Sequence, residues 1–176
     1  MNIKLLGKNL DELKKLVADE GLPGFTAKQI AQWIYVKKVR TIEEMTNLSK
    51  AARTALAEKY EVGVIPYGGL QISSDGTKKY LFPVRCSHRR GLNISCNGSR
   101  DAGELADGAV EAVMIPDDDR ATLCVSSQSG CRMGCKFCMT GRQGFHGHLS
   151  AADIISQFIA VDESDVLTNT VFMGMG

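Results

Sequence analysis

The sequence predicts an α/β protein in three stretches: a small helical domain over 1–61, a short β segment over 62–116, and the start of a barrel-type α/β core over 117–176. Three observations predict it. Apolar residues recur at helical spacing through the first sixty positions, and the periodicity turns strand-like from about Val62. Beyond Arg120 the order is strand, loop, helix, strand, a βαβ opening that calls for a parallel sheet.

Leu10, Leu13 and Leu16 with Val17 mark the first helix, which Gly21 and Pro23 end. Thr26 followed by Gln29, and Thr41 followed by Glu44, read as capping boxes, the first ahead of Ile30, Trp33 and Ile34. Ser49 opens a helix through Arg53, Leu56 and Tyr60, and the short helices should pack round Trp33. Lys28, Lys37, Lys38 and Arg40 line an edge that is either a solvated face or a phosphate-contacting one. In the middle stretch, Leu70–Ser74 and Lys79–Val84 flank the hairpin signal Asp75-Gly76, and Val110–Pro116 and Ala121–Ser127 are further strands. Before Val110, over about 85–108, a polar stretch with Cys86, His88 and Cys96 reads as a surface-loop insertion. Asp117-Asp118-Asp119 is a polar turn. Ser150 with Asp153 starts a helix bearing Ile154, Ile155, Phe158 and Ile159, and Asn169–Met173 begins a buried strand. Two such strands cannot close a barrel, so the chain is expected to be a piece of a longer protein.

At 176 residues, with 44% hydrophobic and 23% charged residues, the composition is that of a water-soluble globular protein. The N-terminus has no signal-peptide core and no apolar run reaches membrane-spanning length, so a cytoplasmic protein with no membrane partner is expected. Six cysteines in that compartment point to metal or redox chemistry rather than structural bridges. The net charge of +1 hides an asymmetry: residues 1–60 carry 11 Lys/Arg against 7 Asp/Glu, the remainder 10 against 13. A mildly basic first domain suits phosphate contacts or simply a solvated helical surface.

The chemistry concentrates in Cys131-Arg132-Met133-Gly134-Cys135-Lys136-Phe137-Cys138. Iron–sulfur clusters are held by Cys thiolates, normally four. A compact set of three, Cys131, Cys135 and Cys138, implies a site-open 4Fe-4S cluster whose last iron can bind something else. A zinc site with His146 or His148 is the alternative, weakened by the lack of a second ligand pair. A disulfide framework does not suit this composition, and unrelated core cysteines do not cluster in a glycine-punctuated polar loop.

The CxxxCxxC pattern resembles that of radical S-adenosylmethionine (SAM) enzymes, whose open iron takes the methionyl amine and carboxylate of SAM. Around it, Val110–Pro116, Asp118–Gln128, Met139–Phe145 and Val171–Gly176 resemble the bacterial dual-specificity RNA adenine-C2 methyltransferases. Phe25–Tyr35 and Glu43–Ser49 resemble that family's helical accessory domain. Three features depart from the pattern: the insertion before Val110, Ser129 and His148 where Val and Asn are usual, and the end of the chain at Gly176, short of the Glu-Pro, the remaining SAM contacts and the methyl-carrying cysteine of the family.

The resemblance implies a radical SAM partial (β/α) barrel, a 4Fe-4S cluster, SAM consumed twice per turnover, and an external flavodoxin-like electron donor. Its substrates would be 23S ribosomal RNA and tRNA, methylated at adenosine carbon 2 through a methyl-cysteine, and the 176 residues alone would be inactive. The sister activity on adenine carbon 8, or a non-catalytic iron–sulfur RNA-binding module, remains the alternative. Residue by residue, it makes Cys124 the thiol that releases product as a disulfide and Glu111 the general base; Gly174, Met175 and Gly176 bind SAM through their backbone, Gly176 nearest its amine. From the residues themselves, Cys124 in a strand is equally a small core residue. Glu111 shares a face with Val113 and Ile115, which places it at a sheet edge, in solvent, or buried with a raised pKa suited to proton transfer.

Overall fold

The computed structural model describes residues 2–84 and 108–176, and these divide into two compact units, one ending at Val64 and one beginning at Ile65. The expected insertion, with Cys86, His88 and Cys96, lies outside the described residues.

In the first unit, strand β1 (Ile3–Lys4) precedes helix α1 (Leu10–Asp19). Asn9 caps α1 by a complete box: its side chain accepts from Glu12 N–H at 2.9 Å, and its own N–H donates to the Glu12 carboxylate at 2.7 Å. Gly21, at φ +66°, closes the helix as the sequence expects, with Gly21 N–H on Ala18 and Leu22 N–H on Val17. Helix α2 (Thr26–Ala31) runs on into a π-helical turn, Gln32–Val36. Thr26 does not cap it. The Pro23-Gly24-Phe25 turn already has helical backbone at Phe25, so Thr26 falls inside the helix and is buried. Thr41 and Glu44 do pair, but across a turn rather than a helix start: the Glu44 carboxylate accepts from the N–H groups of Arg40 and Thr41 and from the Thr41 hydroxyl. Ser49 caps α3 (Lys50–Lys59), which leads into β2 (Tyr60–Glu61), parallel to β1. The core here is Leu5, Leu13, Val17, Ile30, Ile34, Met45, Leu56 and Val62. Trp33 is not its centre; half-buried, it donates to Asn47 and carries the Lys37 ammonium 3.6 Å above its ring.

The second unit is organised by one five-stranded sheet in the order β3 (Gly69–Ile72), β4 (Lys78–Val84), β5 (Gly108–Asp117), β6 (Arg120–Cys124), β9 (Asn169–Val171). The first four strands are antiparallel in sequence order, and β9 pairs with β6 in parallel. The 116/117 boundary drawn from the sequence thus falls within a continuous sheet, at the β5–β6 turn. Gly76, at φ +83°, makes the β3–β4 hairpin, and Asp117 pairs with Arg120 across the next turn. Between β6 and β9 the chain forms β7 (Gln128–Gly130), a short helix α4 (Met139–Gln143), β8 (Phe145–His148) and α5 (Ala151–Ile159). Ser150 and Asp153 box the start of α5.

Alternation gives the sheet two unlike faces. Tyr80, Phe82, Val84, Val110, Ala112, Met114 and Leu123 are buried on one. A side chain such as Phe82 contributes roughly 1.5–3 kcal/mol there. The Tyr80 hydroxyl donates to Glu163 at 2.6 Å and accepts from Asp162 N–H, Tyr67 packs edge-on at 4.9 Å, and Lys78 pairs with Glu163, so the segment after α5 is fastened to β4. Burial, with the Glu163 carboxylate second, pushes the Tyr80 phenol well above the ordinary tyrosine range. The opposite face is half-open.

Candidate active site

That half-open face holds two of the predicted chemical residues. Val113 of β5 pairs directly with Cys124 of β6, so the two side chains share a face, and Glu111, two residues along, shares it too. Glu111 and Cys124 are therefore diagonal neighbours, a relation that in antiparallel sheets spans roughly 7–8 Å. Glu111 is neither at an edge nor buried. Strand β5 is the middle of the sheet, and the carboxylate is 42% exposed and 3.2 Å from the Lys79 ammonium, which reaches it from β4. Cys124 is half-buried and carries a free thiol, as do Cys131, Cys135 and Cys138.

β6 ends at Cys124, three residues earlier than the sequence pattern suggests, because Val125-Ser126-Ser127 bends to meet Gly174-Met175-Gly176. Gly174 N–H donates to Val125, while the Met175 carbonyl accepts from both Ser127 and Gln128 N–H groups. The Met175 N–H goes to the Ser126 hydroxyl at 3.0 Å. Both backbone polar groups of Met175 are thus engaged within the chain. Glycine is needed at 174, where a Cβ would sit 2.8 Å from the Val125 carbonyl oxygen; one on Gly176 would meet only the rotatable Ser127 hydroxyl, at 2.5 Å.

The cysteine loop is framed by the β7–β8 pair, which sequence periodicity did not reveal. Cys131 N–H donates to Gly144 at 3.0 Å, closing the neck, and Cys138 N–H donates to Cys135 at 3.1 Å. Gly130 sits at φ +73° with its α-carbon so close to the Gly144 carbonyl that a Cβ would lie 1.8 Å from the oxygen. Gly141 likewise backs onto Cys135. The N–H of Gly141 first, then the backbone and hydroxyl of Thr140, lower the Cys138 pKa, favouring its thiolate. Among the described residues no three His, Cys, Asp or Glu side chains lie close enough to hold one metal ion. A cluster does not ask for that, since each of its cysteines binds a different iron. Three accessible thiols on one glycine-hinged loop are a donor set that fits an iron–sulfur cluster.

Sequence reasoning missed Lys79, Ser126 and Gln157. Lys79 becomes visible only with the hairpin register. Gln157 did leave a signal, a polar residue inside the apolar run of α5, and it is fully buried against Ser126.

The fold is similar to that of a solved radical SAM methyltransferase from Sphaerobacter thermophilus, which superposes with a TM-score of 0.76 at 32% identity, covering 99% of this chain and 47% of that one. Residues 3–62 match the family described as "Ribosomal RNA large subunit methyltransferase N-terminal domain". The probable dual-specificity RNA methyltransferase of Porphyromonas gingivalis is 49% identical over 174 residues, 99% of this chain and 44% of the relative. That of Phocaeicola vulgatus is 51% identical over 172 residues, 98% of this chain and 44% of the relative, and the dual-specificity RNA methyltransferase of Geotalea uraniireducens is 42% identical over 168, 95% and 43%. The chain is thus similar over nearly all of its length to dual-specificity RNA methyltransferases, and it spans less than half the length of these relatives.

Proposed function

We propose that this chain is the part of a radical SAM RNA methyltransferase that holds the cluster, the base and the resolving thiol, and that the whole enzyme methylates carbon 2 of adenosine in 23S ribosomal RNA and tRNA. The observation that carries the reading is the placement of Glu111 and Cys124 on one open sheet face, with Gly174–Gly176 bonded to the chain just beyond Cys124. Cys131, Cys135 and Cys138 would hold a 4Fe-4S cluster. When bound, the cluster and SAM supply radical chemistry, which an electrophilic ring carbon without an acidic proton requires.

The remaining steps fall to protein groups. Glu111 accepts the proton from adenine carbon 2 as aromaticity returns, with Lys79 holding its carboxylate in place. The Cys124 thiolate attacks the sulfur of a methyl-carrying cysteine joined to the RNA through its methylene, and a disulfide forms. The carbon–sulfur bond breaks with its electron pair going to the methylene and adenine ring; a proton taken up at that carbon completes the methyl group, and the product leaves. That second cysteine is none of the four among the described residues, Cys124, Cys131, Cys135 and Cys138, each of which has another role in this reading. A flavodoxin-like donor supplies electrons and the setting is cytoplasmic; among the described residues no helix is long and apolar enough to cross a membrane.

The test is a chimera in which these 176 residues replace the matching region of the Porphyromonas gingivalis relative. Incubated anaerobically with SAM, reductant and unmodified 23S ribosomal RNA, it should give 2-methyladenosine by mass spectrometry, whereas the 176 residues alone should give none. Formation of 8-methyladenosine would move the assignment to the other ring carbon. No methylation from a chimera with a full cluster would overturn the reading.

A further inference from the structure

Strands β5 and β9 flank β6, so no ladder hydrogen bond can join the strand that bears Glu111 to the segment that follows β9. Where β6 ends, one hydroxyl makes that connection instead. Ser126 Oγ donates to the Glu111 carbonyl at 2.7 Å and accepts the Met175 N–H at 3.0 Å. It is held in place by Gln157. Ser126 N–H donates to Gln157 Oε1 at 2.9 Å, and Gln157 Nε2 returns to the Ser126 carbonyl at 2.9 Å, so the side-chain amide pairs with this one residue as a neighbouring strand would. Gln157 Nε2 also reaches the Asp153 carbonyl at 3.4 Å.

Ser126 and Gln157 are both fully buried. A hydroxyl or amide placed there without partners would destabilise the fold, so the site is stable only with this set of bonds complete. Nothing in core packing requires a serine. Its oxygen bonds both the Met175 N–H and the Glu111 carbonyl, and so adds to the Ser127, Gln128 and Val125 backbone bonds a direct tie between the glycine corner and the strand that carries Glu111. A Cβ added at Gly174 would lie 2.6 Å from the same oxygen, so this close approach of the corner to Ser126 depends on glycine.

We infer that Ser126, clamped by Gln157, is a positioning residue that sets the glycine corner for the methionyl end of SAM. This rests on the SAM reading of Gly174–Gly176 proposed above. Ser156 provides a comparison, since it is also fully buried and its hydroxyl accepts a single bond, from Ile65 N–H at 3.0 Å, far along the chain from the glycine corner.

The experiment uses the 176-residue chain with Ser126→Ala and, as reference, Ser156→Ala. Amide exchange of Met175, followed by NMR without any cofactor, should quicken about tenfold in Ser126→Ala and stay unchanged in Ser156→Ala. In the chimera proposed above, after anaerobic cluster reconstitution, the SAM concentration that half-completes the change in the reduced cluster's spin-resonance spectrum should rise about tenfold in Ser126→Ala alone. Unchanged Met175 exchange would overturn the inference. So would faster exchange with an unaltered SAM midpoint, because the serine would then be merely structural. If the parent chimera itself shows no SAM-dependent spectrum, the SAM reading fails and the inference falls with it, an outcome separate from the other two because it appears before any substitution.

Discussion

Replacing Gly130 by alanine should break the cysteine loop at its neck while leaving the sheet intact. Gly130 has φ +73°, which costs a non-glycine residue about 1–2 kcal/mol. Its added Cβ would lie 1.8 Å from the Gly144 carbonyl oxygen, a separation that no side-chain rotation relieves because both atoms belong to backbone. The neck must therefore open, and the Cys131 N–H to Gly144 bond goes with it, about 1 kcal/mol more. The local cost comes to roughly 2–3 kcal/mol. Gly134→Ala provides the internal control, since that residue also has positive φ, +61°, but nothing within 4 Å of its Cβ, and only the backbone cost of about 1–2 kcal/mol applies. Iron per chain after anaerobic reconstitution and thermal melting report the two effects. Gly130→Ala should lose most of its iron and Gly134→Ala should keep more. Equal iron uptake by both variants would refute the claim that the β7–β8 neck shapes the cluster loop.

In the chimera, Cys124→Ala should assemble its cluster normally yet trap RNA covalently on the protein, seen as a slow-migrating species after denaturation; free turnover would return Cys124 to the core. Lys79→Met should change stability by under about 1 kcal/mol, because the ion pair is half-exposed, but should slow methylation at saturating RNA, with partial rescue by Lys79→Arg. The raised Tyr80 phenol pKa means that the fold favours the protonated form: its contribution is complete below about pH 10, where unfolded tyrosine titrates, and is lost as pH rises above that toward the folded value. Melting temperatures measured from pH 8 to 11 should fall less steeply in Tyr80→Phe than in the parent.

The helices and strands with strong local signals were legible: the α1 periodicity, the Ser49 and Ser150 caps, the Asp75-Gly76 turn and the β5 alternation all appear in the structure, and α5 forms where expected but buries Ala152, Ser156, Gln157 and Ile159, leaving Ile154, Ile155 and Phe158 half-buried. Local signals failed where neighbours decided the outcome. The Thr26 box was pre-empted by helical backbone at Phe25, and Trp33 lost the core to smaller apolar residues because its indole found Asn47 and Lys37 at the surface. Gln128–Gly130 and Phe145–His148 have no alternation to detect, so β7 and β8 exist only as each other's partners. Glu111 was legible as an exceptional carboxylate, but its exposure depended on β5 being central and on Lys79, which needs the β4–β5 register. The Ser126–Gln157 clamp joins residues 31 positions apart and four backbone segments, information that no short window of sequence contains.

The most direct test of the account is the metal content of the 176-residue chain after anaerobic reconstitution with iron and sulfide. The account predicts about four irons per chain, with a reduced-cluster spin-resonance signal that SAM alters and that Cys131→Ala, Cys135→Ala or Cys138→Ala each abolishes. Tight stoichiometric zinc with no iron uptake would contradict it.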